Sequence, residues 1–256
     1  SYNSMLKKKY TFHFVRKLIS KFFLYSKIYT NSIWLNNLIK RKKIDLIFDV
    51  GANTGQYALS LRRFGYTKKI VSFEPMKKEN EILRKKSIKD NNWLVGWDTT
   101  NTNLYDKPIG LGSQNKSLKI NKAKNSVSSS IMLINKSHTD VEPNSKTSGK
   151  EKIKVIKLDK IFNHYSKKKN RILLKIDTQG YEYEVLAGAI KSLKYISVIQ
   201  LELSLVNLYK NQKKWLDIIS FLQKRNFKVI KLFDGFEDKK TNETLQIDCI
   251  FIKKDD

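Results

Sequence analysis

From residue 44 onward, short apolar runs alternate with stretches whose apolar residues recur every three to four positions. Runs of the first kind predict buried strands, and spacing of the second kind predicts helices. The strands predicted are Ile44–Val50, Ile70–Phe73, Ile153–Ile156, Ile172–Ile176, Ile196–Leu203, Phe227–Leu232 and Ile247–Ile252. Helices are predicted from Thr54 to Phe64, from Pro75 to about Lys89, over Tyr181–Leu193 and over Lys213–Arg225, with a short one that Asp159 caps. Strands alternating with helices imply a mainly parallel sheet covered on both faces. The last two strands, joined by the turn-rich Asp234–Glu243, read as a hairpin at the sheet edge.

Two regions break the rhythm. Between Trp93 and Lys150 only short strands are expected, at Pro108–Leu111 and Ser117–Ile120, and Ser126–Gly149 reads as a long mobile loop. Residues 1–43 form a basic helical extension ahead of a catalytic domain over 44–256. In it Phe12, Val15, Ile19, Phe22, Phe23 and Ser26 fall near helical spacing, and a second helical stretch holds Ile33, Trp34, Leu38 and Ile39. The extension has two readings: an amphipathic helix on an anionic membrane surface, or a helix packed on the domain as a lid.

Charge adds a question. Lys and Arg number 51 against 24 Asp and Glu, a formal net charge of +27. Such a balance attracts nucleic acid or anionic lipid, yet the basic residues are spread evenly, as solvated decoration would be. Cys249 is the single cysteine, so no internal disulfide forms, as expected of a cytoplasmic protein. No apolar run approaches the roughly 20 residues of a membrane span, and the N-terminus lacks the pattern of a cleaved secretion signal.

Candidate chemistry sits at the strand ends. Asp49-Val50-Gly51-Ala52-Asn53-Thr54-Gly55 delivers an acid to the carboxyl end of an apolar strand, then a glycine turn, then a helix N-terminus. That arrangement brings backbone close to a ligand. It lacks the third glycine of a dinucleotide fingerprint and the Lys-Ser/Thr of a phosphate loop. Glu74 ends the next strand, where a carboxylate can accept both hydroxyls of a ribose or cap the Pro75 helix. Lys175-Ile176-Asp177-Thr178-Gln179-Gly180-Tyr181-Glu182 repeats the strand-end pattern, Glu202 ends the strand after it, and Tyr209 follows in a loop.

This ordered series resembles the FkbM-type methyltransferases. The matching text is Phe48–Gly55, Phe73-Glu74-Pro75, Ser128-Ser129-Ser130, Leu158-Asp159, Lys175–Glu182 and Glu202-Leu203-Ser204 with Leu208-Tyr209. The resemblance implies a Rossmann-like class I α/β fold, a mainly parallel seven-stranded sheet with helices on both faces and an antiparallel edge strand. It implies an S-adenosylmethionine-dependent O-methyltransferase acting on a hydroxyl of a sugar, glycan or small natural product. By the same resemblance Asp49, Gly51, Ala52, Asn53 and Gly55 surround the methionine part of the donor. Glu74 with Pro75 holds the ribose, and Asp177 sits where donor meets acceptor. Two departures stand out: only Asp98 offers itself for the adenine, and Asn226 replaces the family's usual glycine ahead of Phe227.

A hydroxyl acceptor needs a base within reach. Asp177 and Glu182 are the candidates, with Lys175 either taking part or merely paired with a carboxylate. Ser128, Ser129, Gln179, Glu202 and Tyr209 are expected on the acceptor side. Asp177, Glu182 and Glu202 form an alternative oxygen-ligand set for magnesium, and with three scattered histidines a zinc site has no support. Competing functions are an RNA methyltransferase using the basic surface and a noncatalytic lipid- or glycan-binding module. No Asn/Asp-Pro-Pro-aromatic base-flipping motif supports the former.

Overall fold

The computed structural model describes residues 29–100, 107–167 and 169–254. The amphipathic stretch Phe12–Ser26 lies outside them. Helix α1 spans residues 29–41 and is followed by β1 (Leu46–Val50), α2 (Gln56–Arg63), β2 (Lys69–Phe73), α3 (Lys77–Ser87) and β3 (Trp93–Val95). Next come β4 (Ile109–Leu111), β5 (Lys116–Ala123), α4 (Lys136–Val141), β6 (Thr147–Ile156) and α5 (Leu158–Tyr165). The chain closes with β7 (Ile172–Ile176), α6 (Glu182–Ala187), β8 (Ile196–Ser204), α7 (Trp215–Gln223), β9 (Phe227–Asp234) and β10 (Gln246–Lys253).

Seven strands form one sheet in the order β3-β2-β1-β7-β8-β10-β9, and β4-β6-β5 form a second, smaller one. All pairings from β3 to β8 are parallel, whereas β10 runs antiparallel to both β8 and β9. This is the Rossmann-like class I methyltransferase arrangement. The antiparallel strand is one place in from the edge, with β9 outermost.

Alternation along the central strands divides the core. Leu46, Phe48 and Val50 point to a face packed by α5, α6 and α7 through Ile161, Val185, Leu186 and Leu222. Ile47, Leu173, Val198 and Ile250 point to the other face, covered by α1 through Leu35, Leu38 and Ile39 and by α2 through Ala58 and Leu61. Near the strand ends this second face turns polar. Asp49, Lys175 and Gln200 lie side by side in register, and Glu202 lies opposite Asp248. A polar layer therefore opens just above an apolar one.

Three expectations need correction. Residues 126–149 are not one long loop: they hold a 3-10 turn at Ser126–Ser128, a bridge from Ser130 to Asn121, helix α4, a second 3-10 turn at Pro143–Ser145 and the start of β6. His138 of α4 packs edge-on against Tyr209 at 5.3 Å. The helix expected over Tyr181–Leu193 stops at Ala187. Asp159 does not cap α5; its carboxylate accepts from Lys191 N, Ser192 N and Ser192 Oγ, drawing those backbone donors out of helical register. The substitution Asn226, by contrast, fits its place: it adopts φ 68, the left-handed conformation that glycine, and after it asparagine, takes most readily.

Candidate active site

The carboxyl ends of β1, β2, β7 and β8 surround a cavity of about 450 Å³. Gly51 makes its floor possible. With φ +77, its Cβ position falls 1.8 Å from the Asp177 carbonyl oxygen, so any side chain there collides with the backbone after β7. The amides of Gly51 and Ala52 both donate to Phe73 O, locking the turn against β2.

Glu74 lines the cavity from the end of β2. Its Oε2 accepts from Asn53 N at 2.8 Å and its Oε1 from Met76 N at 2.9 Å. Burial pushes its carboxyl up to about 7, against the pull of those two amides. Phe73, Pro75, Met76, Leu111 and Ile120 make the surrounding wall apolar. These residues, of which only Phe73 and Pro75 stood out in the sequence, could hold a flat heteroaromatic ring.

At the other end lies a hydrogen-bonded cluster of acids and amides. Gln179, held at φ 56, donates from Nε2 to Asp177 Oδ1 and to Glu202 Oε2, both at 2.7 Å. Its Oε1 accepts from Tyr209 OH at 2.5 Å. Gln246 adds a second donor to Glu202 Oε2 at 2.9 Å. Gly180 (φ +97) lets the Tyr209 ring close over the turn: a Cβ there would meet Tyr209 Cδ2 at 2.7 Å. Burial first, then Asp177 and Asp248, hold the Glu202 carboxyl well above the ordinary carboxylate range. Asp248 is likewise pushed up to about 6 by burial and Asp177.

Lys175 is the cation that balances this cluster. Its Nζ lies 3.2 Å from Asp49 Oδ1 and 3.5 Å from Asp177 Oδ2, and it donates to Gly51 O at 3.2 Å. Burial works to discharge it, but Asp49 and Asp177 outweigh that and raise its pKa above the ordinary lysine value. Lys175 thus stands as a charged anchor between Asp49 and Asp177. Asp49, fully buried, lies one layer below the cavity, also accepting from Ser72 Oγ at 3.1 Å.

Other sequence candidates are placed as follows. Gly51, Ala52, Asn53, Glu74, Pro75, Lys175, Asp177, Gln179, Glu202 and Ser129 line the cavity. Gly55, Ser128 and Tyr209 do not; Gly55 sits at the start of α2 against Trp93, and Tyr209 acts through Gln179. Glu182 points away from the cavity: its Oε1 accepts from Thr178 N, Thr178 Oγ1 and Gly180 N, bracing the Asp177–Tyr181 turn. Asp98 is bound elsewhere, paired with Lys154 at 2.6 Å and Lys160 at 3.5 Å. Burial opposes its charge, but Lys154 and Thr100 hold its carboxyl down at about 2. The magnesium set fails as well. Gln179 occupies the space between Asp177 and Glu202, Glu182 is committed to the turn, and among the described residues no cluster of three or more His, Cys, Asp or Glu is arranged to hold a metal ion.

Sequence reasoning missed Tyr57, Gln200 and Asp248. Tyr57 OH donates to Gln200 Oε1 at 2.8 Å, and Gln200 is hydrogen-bonded to Asp248. The only signal was the period-two spacing Gln246-x-Asp248, which lies opposite Glu202-x-Ser204 and needs the strand register to become meaningful. The serine-rich segment roofs the cavity: Asn53 Nδ2 donates to Ser126 Oγ at 3.1 Å, and Ser130 Oγ donates to Gln179 O.

The described residues contain no helix long and apolar enough to cross a membrane. No curated protein matches the chain in sequence. Among solved structures, an O-methyltransferase from Bacillus cereus in complex with SAH is similar at 12% identity, over 88% of this chain and 81% of that one, with a TM-score of 0.46. An rRNA methylase from Streptococcus thermophilus shares 10% identity over 89% and 96%, TM-score 0.44. Magnesium protoporphyrin IX methyltransferase from Synechocystis PCC 6803 shares 10% over 88% and 77%, TM-score 0.43. The family model of the methyltransferase FkbM domain matches residues 49–229, which take in the Gly51 turn, Glu74 and the Asp177–Glu202 cluster. The chain belongs to the FkbM methyltransferase family.

Proposed function

We propose that the chain transfers a methyl group from S-adenosylmethionine to a hydroxyl group of a sugar, glycan or small natural product. The observation that carries this reading is the cavity itself. A carboxylate and apolar walls at one end suit an adenosine, and at the other end Asp177, Glu202 and Asp248 outnumber Lys175. A phosphate backbone entering there would meet three carboxyl groups, whereas a neutral hydroxyl finds acceptors.

Bound in this cavity, S-adenosylmethionine supplies an electrophilic methyl on a sulfonium, and the departing thioether is neutral. Glu74 would accept hydrogen bonds from the ribose hydroxyls, and the Gly51–Asn53 turn would cradle the methionine part. Asp177 takes the acceptor proton through Oδ2, which the Lys175 ammonium approaches only to 3.5 Å, whereas Gln179 donates to Oδ1 at 2.7 Å. Its side chain is 36% exposed, more open than Lys175 at 9%. Tyr209 and Gln179 fix its orientation, and the Ser126–Ser130 segment limits water.

Calorimetry with S-adenosylmethionine and its demethylated product, followed by transfer of radiolabelled methyl to a panel of sugars and metabolites, tests the reading. Asp177→Asn should bind the donor normally and lose turnover; unimpaired single-turnover methylation in that variant overturns the base assignment. Methyl uptake that survives exhaustive chelation is expected.

The second reading, RNA methylation, is favoured by one surface. A groove beside Pro75 is lined by Lys77, Lys78, Arg84, Lys107, Lys122, Lys152 and Lys154 against Glu81 and Glu151. Steeply salt-dependent RNA binding, with label entering RNA and no small hydroxyl compound, would promote it.

A further inference from the structure

The polar layer of the α1-covered face does not end at Asp248. A second chamber of about 250 Å³ lies between α1, α2 and the end of β9, and Tyr57, Gln200 and Asp248 line both it and the main cavity. We propose that this chamber is the acceptor site and that it holds a neutral, polyhydroxylated ring. The proposal rests on the methyl-transfer reading above and adds where the acceptor lies and what it is made of.

Three features of the chamber argue for that ligand. Its aromatic surfaces come from Tyr57, Phe64 and Phe233; Trp34 meets Phe233 edge-on at 5.4 Å, Tyr29 packs on Phe64 at 5.4 Å, and the Lys175 and Lys231 ammonium groups, which do not line the chamber, lie 5.3 Å and 5.4 Å from the Tyr57 and Phe233 ring centroids. Flat aromatic faces pack well against the C–H faces of a sugar ring. The polar groups are amides, hydroxyls and carboxylates. Asn31, Ser32, Leu35 and Asn36 occupy one face of α1, and Asn36 is only 9% exposed. A buried amide demands partners, and an amide offers donors and an acceptor at once, as paired vicinal hydroxyls do.

The charge is the third feature. In a chain with 51 Lys and Arg, none of the described residues lining the chamber is basic, while Asp234 and Asp248 both line it. Phosphate and carboxylate groups are disfavoured there, and hydroxyl donors are welcome. The Gln200–Asp248 pair, shared between the two spaces, leads from the chamber to Asp177. Helix α1 precedes residue 49, where the family match begins. One wall of the proposed site is therefore supplied by residues outside the family domain, so acceptor choice is written partly in α1.

The test uses the full chain with S-adenosylhomocysteine and, as probes, the methyl glycosides of glucose, galactose, mannose and rhamnose. Saturation-transfer NMR should show magnetisation passing from the protein to glycoside ring protons. Ser32→Trp, which fills the chamber, should remove that signal at least tenfold, and Asn36→Leu should weaken it. Calorimetry should find S-adenosylhomocysteine binding unchanged in both variants. Either variant that keeps the wild-type circular dichroism decides the matter, so misfolding of one leaves the other as the test. No transfer to any glycoside in the wild type, or transfer that persists in Ser32→Trp, overturns the chamber. Failure of the wild type to bind S-adenosylhomocysteine sinks the methyl-transfer reading instead, and that result is read separately from the glycoside signal.

Discussion

Replacing Lys175 by methionine tests the electrostatic frame beneath the site. Lys175 is 9% exposed and Asp49 not at all, and their 3.2 Å contact is the charge partner that Asp49 has in the core. Methionine fills a similar volume but leaves the Asp49 carboxylate buried beside apolar Ile47 and Leu173. Removing one member of a buried pair costs about 3–5 kcal/mol, mostly the desolvation of the charge left behind. For a chain of this size roughly 2–4 °C of melting temperature is lost per kcal/mol. Lys175→Met should therefore melt about 6–20 °C below the wild type in thermal denaturation followed by circular dichroism. The double variant Lys175→Met/Asp49→Asn removes the stranded charge and should recover at least half of that loss. A single variant that loses less than about 1 kcal/mol, or a double variant no more stable than the single, would refute the assignment of Lys175 as the counter-charge.

Glu74→Gln should weaken donor binding about 10- to 100-fold by calorimetry, the worth of a charge-assisted hydrogen bond, with the fold intact. Tyr209→Phe frees Gln179 and should lower turnover about tenfold with little change in acceptor KM, at a stability cost of about 1 kcal/mol. Glu182 is pushed up to about 7 by burial, over the pull of the Thr178 and Gly180 amides. A folded-state pKa above the unfolded value stabilises the protein below about 4.5, and that contribution is lost as pH rises through about 7. Melting temperature should accordingly fall between pH 5 and pH 8, and Glu182→Gln, which is never charged, should flatten the slope.

The acids at the carboxyl edge of the sheet were legible in the sequence. Asp49, Glu74 and Asp177 interrupt hydrophobic runs, and such interruptions are visible in one dimension. The cluster around Asp177 was legible only in part: Gln179, Glu202 and Tyr209 stood out, and Asp248, Gln200 and Tyr57 did not. Asp248 reads as an ordinary polar position of the last strand and becomes a site residue only through its antiparallel register with Glu202. Tyr57 looks like any residue in the first turn of a helix. Glu182 misled for a physical reason: the side chain that opens α6 was drawn backward by three donors of its own turn, a capture that sequence spacing does not distinguish from a catalytic pose. The Ser126–Gly149 segment read as a loop because β6 begins in Thr147–Lys152, which is mostly exposed and carries no alternation. Its order comes from pairing with β5 and from His138 against Tyr209, contacts made at long range.

Strand β10 runs against its neighbours, and this decides which of its residues reach the rim. A parallel strand brings only its trailing end to the rim, so altering that end disturbs the helix that follows. By running backward, β10 brings its leading residues, Gln246 and Asp248, to the same rim, directly after the connection spanning residues 235–245. A change of length in that connection therefore reaches the rim beside Glu202 without passing through β1 or β2.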